Sequence, residues 1–112
     1  MLKLVVYSAK WCAPCRAFKS GALKKWKQAT GNIVEVVDVD KPAGTRLADD
    51  AEVQALPTIT VVDGGGELQR RVGSLDVKAL NAMWSKAVRM QAKLQVKQAN
   101  QTRKEKTNDQ EK

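Results

Sequence analysis

The sequence predicts an α/β fold: a three-layer sandwich on a mixed four-stranded sheet, with elements in the order β-α-β-α-β-β-α. Three observations predict it. Short β-branched runs alternate with stretches of helical apolar spacing through the first half of the chain. A glycine-rich turn, Asp63-Gly64-Gly65-Gly66, joins two strand-like runs. A last amphipathic stretch closes the order. The 112 residues allow one domain of ordinary size and not two.

Each element has a local reason. Leu2–Tyr7 (LKLVVY) is short, β-branched and nearly uncharged, and reads as a buried strand. Ser8–Trp11 is a loop, and Pro14 sits early in a helix, where its missing N–H costs little. Cys15, Phe18, Ala22, Trp26 and Ala29 then recur three or four residues apart, which predicts one continuous helix up to a stop at Gly31. Ile33–Val39 reads as a second strand, parallel to the first because a helix joins them. Asp40–Gly44 reads as a break, Thr45–Val53 as a short helix and Thr58–Val62 as a third strand. Glu67–Val72 completes a hairpin. Ser74 is the expected N-cap of the last helix, whose apolar face is Val77, Leu80, Trp84 and Val88. Trp26 and Trp84 fall on apolar faces and read as core residues.

The last helix is expected to run from Leu75 to about Asn100, roughly 39 Å, and so to project beyond the core. From Lys97 onward the chain has one Ala and no larger apolar residue. The expected organisation is therefore a domain over residues 1–96 and a polar, disordered or frayed helical tail over 97–112.

Composition excludes several function classes. There is no His, which removes Ser-His, Cys-His and His-metal mechanisms. Two Cys without His cannot close a tetrahedral zinc site within one chain, so no metal or other cofactor is expected. Two Cys are also too few for a secreted disulfide scaffold. No apolar run approaches the roughly 18 residues of a membrane span, and no secretory leader pattern is visible at Met1–Val6. The expectation is a cytoplasmic protein with no membrane partner.

The net charge of +8 is unevenly spread. Residues 1–34 and 77–104 each hold seven basic and no acidic residues, whereas 35–76 hold four basic and nine acidic. Basic segments attract nucleic acid or acidic proteins. One reading is therefore a non-catalytic binding module using Lys86, Arg89, Lys93, Lys97, Arg103 and Lys104. Aromatics are absent after Trp84, which speaks against base stacking by this segment. The plainer reading is a lysine-rich, soluble surface.

The chemistry sits in Cys12-Ala13-Pro14-Cys15, a C-x-x-C between a strand and a helix. Cys12 falls at the helix N-terminus, where orphan N–H groups and the macrodipole favour an anion. A lowered thiol pKa there raises reactivity at neutral pH. Cys15 lies one turn on, buried on the apolar face, and acts second. The competing readings are half of an intersubunit zinc site, a pair of inert core thiols, and a retained fold without catalysis.

Trp11-Cys12-Ala13-Pro14-Cys15 resembles the thioredoxin family signature W-C-G-P-C, with Ala for Gly. Leu56-Pro57-Thr58 resembles the family's cis-proline loop, and Val72-Gly73-Ser74 the segment that completes its substrate groove. The resemblance spans about residues 2–90 and implies a thioredoxin-like sandwich with a cis Pro57. It also implies that Trp11, Ala13, Pro14, Leu56, Pro57 and Gly73 hold an extended substrate segment beside Cys12. The implied partners are disulfide-containing proteins and a thioredoxin reductase-like electron donor, with the protein acting as a monomer. A reductant devoted to one enzyme is a further possibility, and the sequence does not name that enzyme. The family's buried Asp aligns with Val6 and its companion Lys near Val36, so the usual proton-transfer pair is missing.

Overall fold

The structure is a computed structural model that describes residues 1–64 and 66–111, and side chains as far as Val96. Four strands form one sheet in the order β2-β1-β3-β4. Strand β1 (Leu2–Ser8) is apolar on both faces and is buried along nearly its whole length. It pairs in parallel with β2 (Val34–Asp38), Leu4 opposite Val34 and Ser8 opposite Asp38. Strand β3 (Thr58–Asp63) lies on the other side of β1 and runs antiparallel to it. Strand β4 (Gly66–Val72) returns from the glycine turn as the predicted hairpin, with a register shift between Val61 and Val62.

Helices cover both faces, as the three-layer expectation requires. On one face Leu4, Val6, Ile59 and Val61 meet α1 (Ala13–Ser20), α2 (Ala22–Thr30) and α4 (Val77–Glu111) through Phe18, Leu23, Trp26, Leu80, Met83 and Ala87. On the other, Val5, Tyr7 and Val37 pack against Ala48 of α3 (Pro42–Asp50). Burial pushes the Tyr7 hydroxyl above its ordinary pKa of 10.0, aided by the charge of Glu67, so it stays neutral. At 35 residues α4 spans about 52 Å, longer than the sheet it packs on. The helix is expected to end near Asn100 and runs on to Glu111, while the side chains of 97–112 lie outside the described residues. Among the described residues, no helix is long and apolar enough to cross a membrane.

Four local expectations are corrected. The single first helix is two, broken at Gly21, whose φ of −105° and ψ of −103° leave the helical region. Hydrogen bonding carries through the break, from Gly21 N–H to the Ala17 carbonyl (3.0 Å) and from Lys25 N–H to the Gly21 carbonyl (3.1 Å). After it, Leu23 is buried and Ala29 is exposed. Helix α3 starts at Pro42 rather than Thr45, because a proline in the first turn needs no N–H partner. Gly44 lies inside α3 against the end of β2, where a Cβ would collide with the Asp38 carbonyl.

The face of α4 is also rotated. Leu80, Met83 and Ala87 are buried, and Val88 is exposed. Finally, the N-cap of α4 is Asp76, whose carboxylate accepts the Ala79 N–H at 2.7 Å, while the Ser74 hydroxyl points elsewhere. Asp76→Ala should therefore cost about 1 kcal/mol, read as a lower urea midpoint with an unchanged slope. Ser74→Ala should leave the start of α4 intact.

Candidate active site

The loop after β1 delivers the cysteine pair to the start of α1. The Cys12 N–H donates to the Ala9 carbonyl (3.2 Å), and the Arg16 guanidinium donates to the Lys10 carbonyl (2.5 Å). Cys12 is the N-cap of α1, with extended backbone angles, and its sulfur accepts the Cys15 N–H at 3.3 Å. A serine or aspartate oxygen does the same at an ordinary N-cap. Ala13 and Pro14 open the helix, so Pro14 removes one orphan donor without leaving an acceptor unpaired. The helix end thus presents a donor to the Cys12 sulfur, where a thiolate is stabilised.

The two sulfurs are joined as a Cys12–Cys15 disulfide, with the α-carbons 5.2 Å apart. Their exposures differ in a way that sets their order. Cys12 keeps 6% of its surface open to solvent and Cys15 has 0%. A large substrate reaches Cys12 first. Both cysteines pack with Ala9 in a small cluster of their own, against Val39 and Leu56, which also pack on the α3 side of the sheet.

The other sequence motifs converge on this pair. The Leu56–Pro57 peptide bond is cis, as the resemblance implies. The Pro57 carbonyl accepts the Gly73 N–H at 2.8 Å. Gly73 has a φ of +95°, a backbone region that favours glycine. The Ser74 hydroxyl donates to the Pro14 carbonyl at 3.3 Å, linking the segment before α4 to the cysteine helix. Trp11 is 68% exposed, and Ala13 and Pro14 are exposed around the sulfur pair. Trp11, Cys12 and Leu56 line one cavity of about 390 Å³.

That cavity holds residues the sequence reading missed: Thr45, Asp49, Val53 and Gln54, from α3 and the loop after it. Thr45 and Asp49 are four residues apart and so share a face of α3, but no local pattern says that this face meets Cys12. Val6 is fully buried, and Val36 is its neighbour on β2, exposed at the edge of the sheet. Neither position carries an ionisable group, so neither relays a proton to Cys15. Among the described residues, no group of three or more His, Cys, Asp or Glu is gathered to hold a metal ion.

The family model for thioredoxin matches residues 1–87. The chain belongs to the thioredoxin family. The chloroplastic thioredoxin Y of Oryza sativa subsp. japonica is 30% identical over 77 residues, 69% of this chain and 45% of that protein. The mitochondrial thioredoxin of Mus musculus is 31% identical over 85 residues, 76% of this chain and 51% of that one. This thioredoxin-family chain therefore spans about half the length of the curated relatives it matches. Among solved structures, thioredoxin-2 of a malaria parasite is 26% identical with a TM-score of 0.69, covering 77% of this chain and 82% of its own.

Proposed function

We propose that this thioredoxin-family protein is a thiol–disulfide oxidoreductase that reduces protein disulfides through Cys12 and Cys15. The carrying observation is the Cys12–Cys15 disulfide, with Cys12 as the N-cap of α1 and reachable and Cys15 sealed behind it. The reduced form starts the cycle. The Cys12 thiolate attacks one sulfur of a substrate disulfide, forming a Cys12–substrate disulfide and releasing the other substrate sulfur, which takes a proton. Cys15 attacks the Cys12 sulfur, its proton passing to the departing second substrate sulfur. The second substrate thiol leaves, and the intramolecular disulfide remains. Two electrons and two protons have passed from the dithiol to the substrate.

Trp11, Ala13, Pro14, Leu56, Pro57 and Gly73 are the proposed substrate-binding surface. The exposure of Trp11 and the hydrogen bond between Gly73 and Pro57 support it. A thioredoxin reductase-like donor would return the two electrons, and the protein would act as a monomer whose working unit is residues 1–96. The proposed setting is a reducing compartment, since a dithiol reductant must be kept reduced. The cytoplasm is one such compartment.

The test is reduction of insulin disulfides with dithiothreitol as electron source. The protein should accelerate precipitation of the freed B chain. A folded protein that leaves the rate at that of dithiothreitol alone would remove the proposal.

A further inference from the structure

The cavity beside Cys12 has one chemically distinct wall. Val39, Ala48, Val53 and Leu56 make it largely apolar, and among the described residues its only ionisable lining group besides the cysteine is Asp49, in the last turn of α3. The Thr45 hydroxyl already donates to the Val39 and Lys41 carbonyls, at 2.6 and 3.0 Å. The Asp49 carboxylate takes part in no ion pair among the described residues. Asp49 also sits at the end of α3, where helix carbonyls concentrate negative potential. Arg70 meets the Ala51 and Glu52 carbonyls just beyond and pairs with Glu67, so Asp49, an exposed residue of the cavity wall, has no counter-charge from that arginine.

We propose that this cavity selects a basic side chain next to the cysteine that Cys12 attacks, with Asp49 as the specificity-determining residue. The inference rests on the reductase reading above. An aliphatic stem against apolar walls with a cationic head at a carboxylate is how lysine and arginine are ordinarily accommodated. About 390 Å³ is ample for one side chain, since pockets for whole small ligands begin near ~300 Å³. The long-range field argues the other way. A net charge of +8 draws anionic peptides, so a preference for basic ones has to come from the local wall.

The experiment uses the full chain and three symmetric disulfide-linked peptides, alike except for Lys, norleucine or Glu beside the cysteine. Values of kcat/KM should rank Lys above norleucine above Glu. The Lys-to-norleucine ratio should be roughly two- to five-fold, the scale of a partly exposed ion pair, and should shrink as salt is added. Asp49→Asn should bring that ratio towards one, and Asp49→Lys should put Glu ahead of Lys. Equal rates, Glu leading in the parent protein, or a lysine preference that survives in Asp49→Asn overturns the selection while leaving the reductase standing. Turnover of none of the three overturns the reductase reading, and the selection with it.

Discussion

Replacing Cys15 with Ser should stop the reaction after its first step, leaving substrate covalently attached to Cys12. Replacing Cys12 with Ser should abolish turnover, a loss of at least about three orders of magnitude on the scale seen when an enzyme loses its nucleophile. The asymmetry follows from the structure. Cys12 is the sulfur at the helix end that solvent reaches, and it receives the Cys15 N–H. Cys15 is fully buried and has Cys12 as its disulfide partner. Without Cys15 the mixed disulfide has no internal attacker and persists until an outside thiol arrives. Non-reducing gels and intact-mass measurements read this directly. A Cys15→Ser protein that turns over at the parent rate, or a trapped adduct carried by Cys15 in the Cys12→Ser protein, would reverse the assignment of roles.

Trp26→Ala should be among the most damaging single changes to stability, at about 3–5 kcal/mol. Trp26 is fully buried where α2 meets the sheet and α4. Its ring packs edge-on against Trp84, with centroids 5.4 Å apart, and its indole N–H donates to the Asn81 side chain at 2.9 Å. Truncation leaves a large cavity, and Asn81 loses its donor. Trp26→Phe keeps most of the volume and loses the hydrogen bond, so it should cost clearly less. Urea unfolding of the three proteins supplies the comparison. Equal midpoints for Trp26→Ala and the parent would contradict the packing account.

Much of the fold is written locally in the chain. The β-branched runs mark β1, β2 and β3, because strands of a packed sheet need side chains that fit a pleated surface, whereas β4 (GELQRRV) has only Val72 of that kind. The glycine turn after Asp63 marks the hairpin. The break at Gly21 is hidden because apolar residues recur at helical spacing on both sides of it, and periodicity reports the direction of a face rather than continuity of the backbone. Ser74 and Asp76 are both competent caps of α4, and the tertiary structure decides between them by engaging the serine with Pro14.

The site divides in the same way. Cys12, Cys15 and Trp11 are legible because thiol chemistry at a helix start demands that spacing. The contacts of Pro57 and Gly73 are not, because they join residues sixteen positions apart through backbone atoms that carry no sequence label. The cis bond at Pro57 was implied by family resemblance and not by any local pattern. Asp49 and its cavity are not legible, because periodicity tells which residues of α3 share a face and not that the face meets Cys12, which the tertiary packing decides.

The most direct measurement of the central claim is the equilibrium reduction potential of the Cys12/Cys15 pair in glutathione buffers. A pair whose thiolate is strongly stabilised becomes an oxidant, since the reduced form is then favoured. Here Pro14 removes one helix-end donor, and a single N–H, that of Cys15, meets the Cys12 sulfur. The stabilisation is therefore moderate, and the expected potential lies nearer the reducing end of the dithiol range, about −270 mV, than its oxidising end. A value near about −120 mV, or a pair that never exchanges with glutathione, would contradict it.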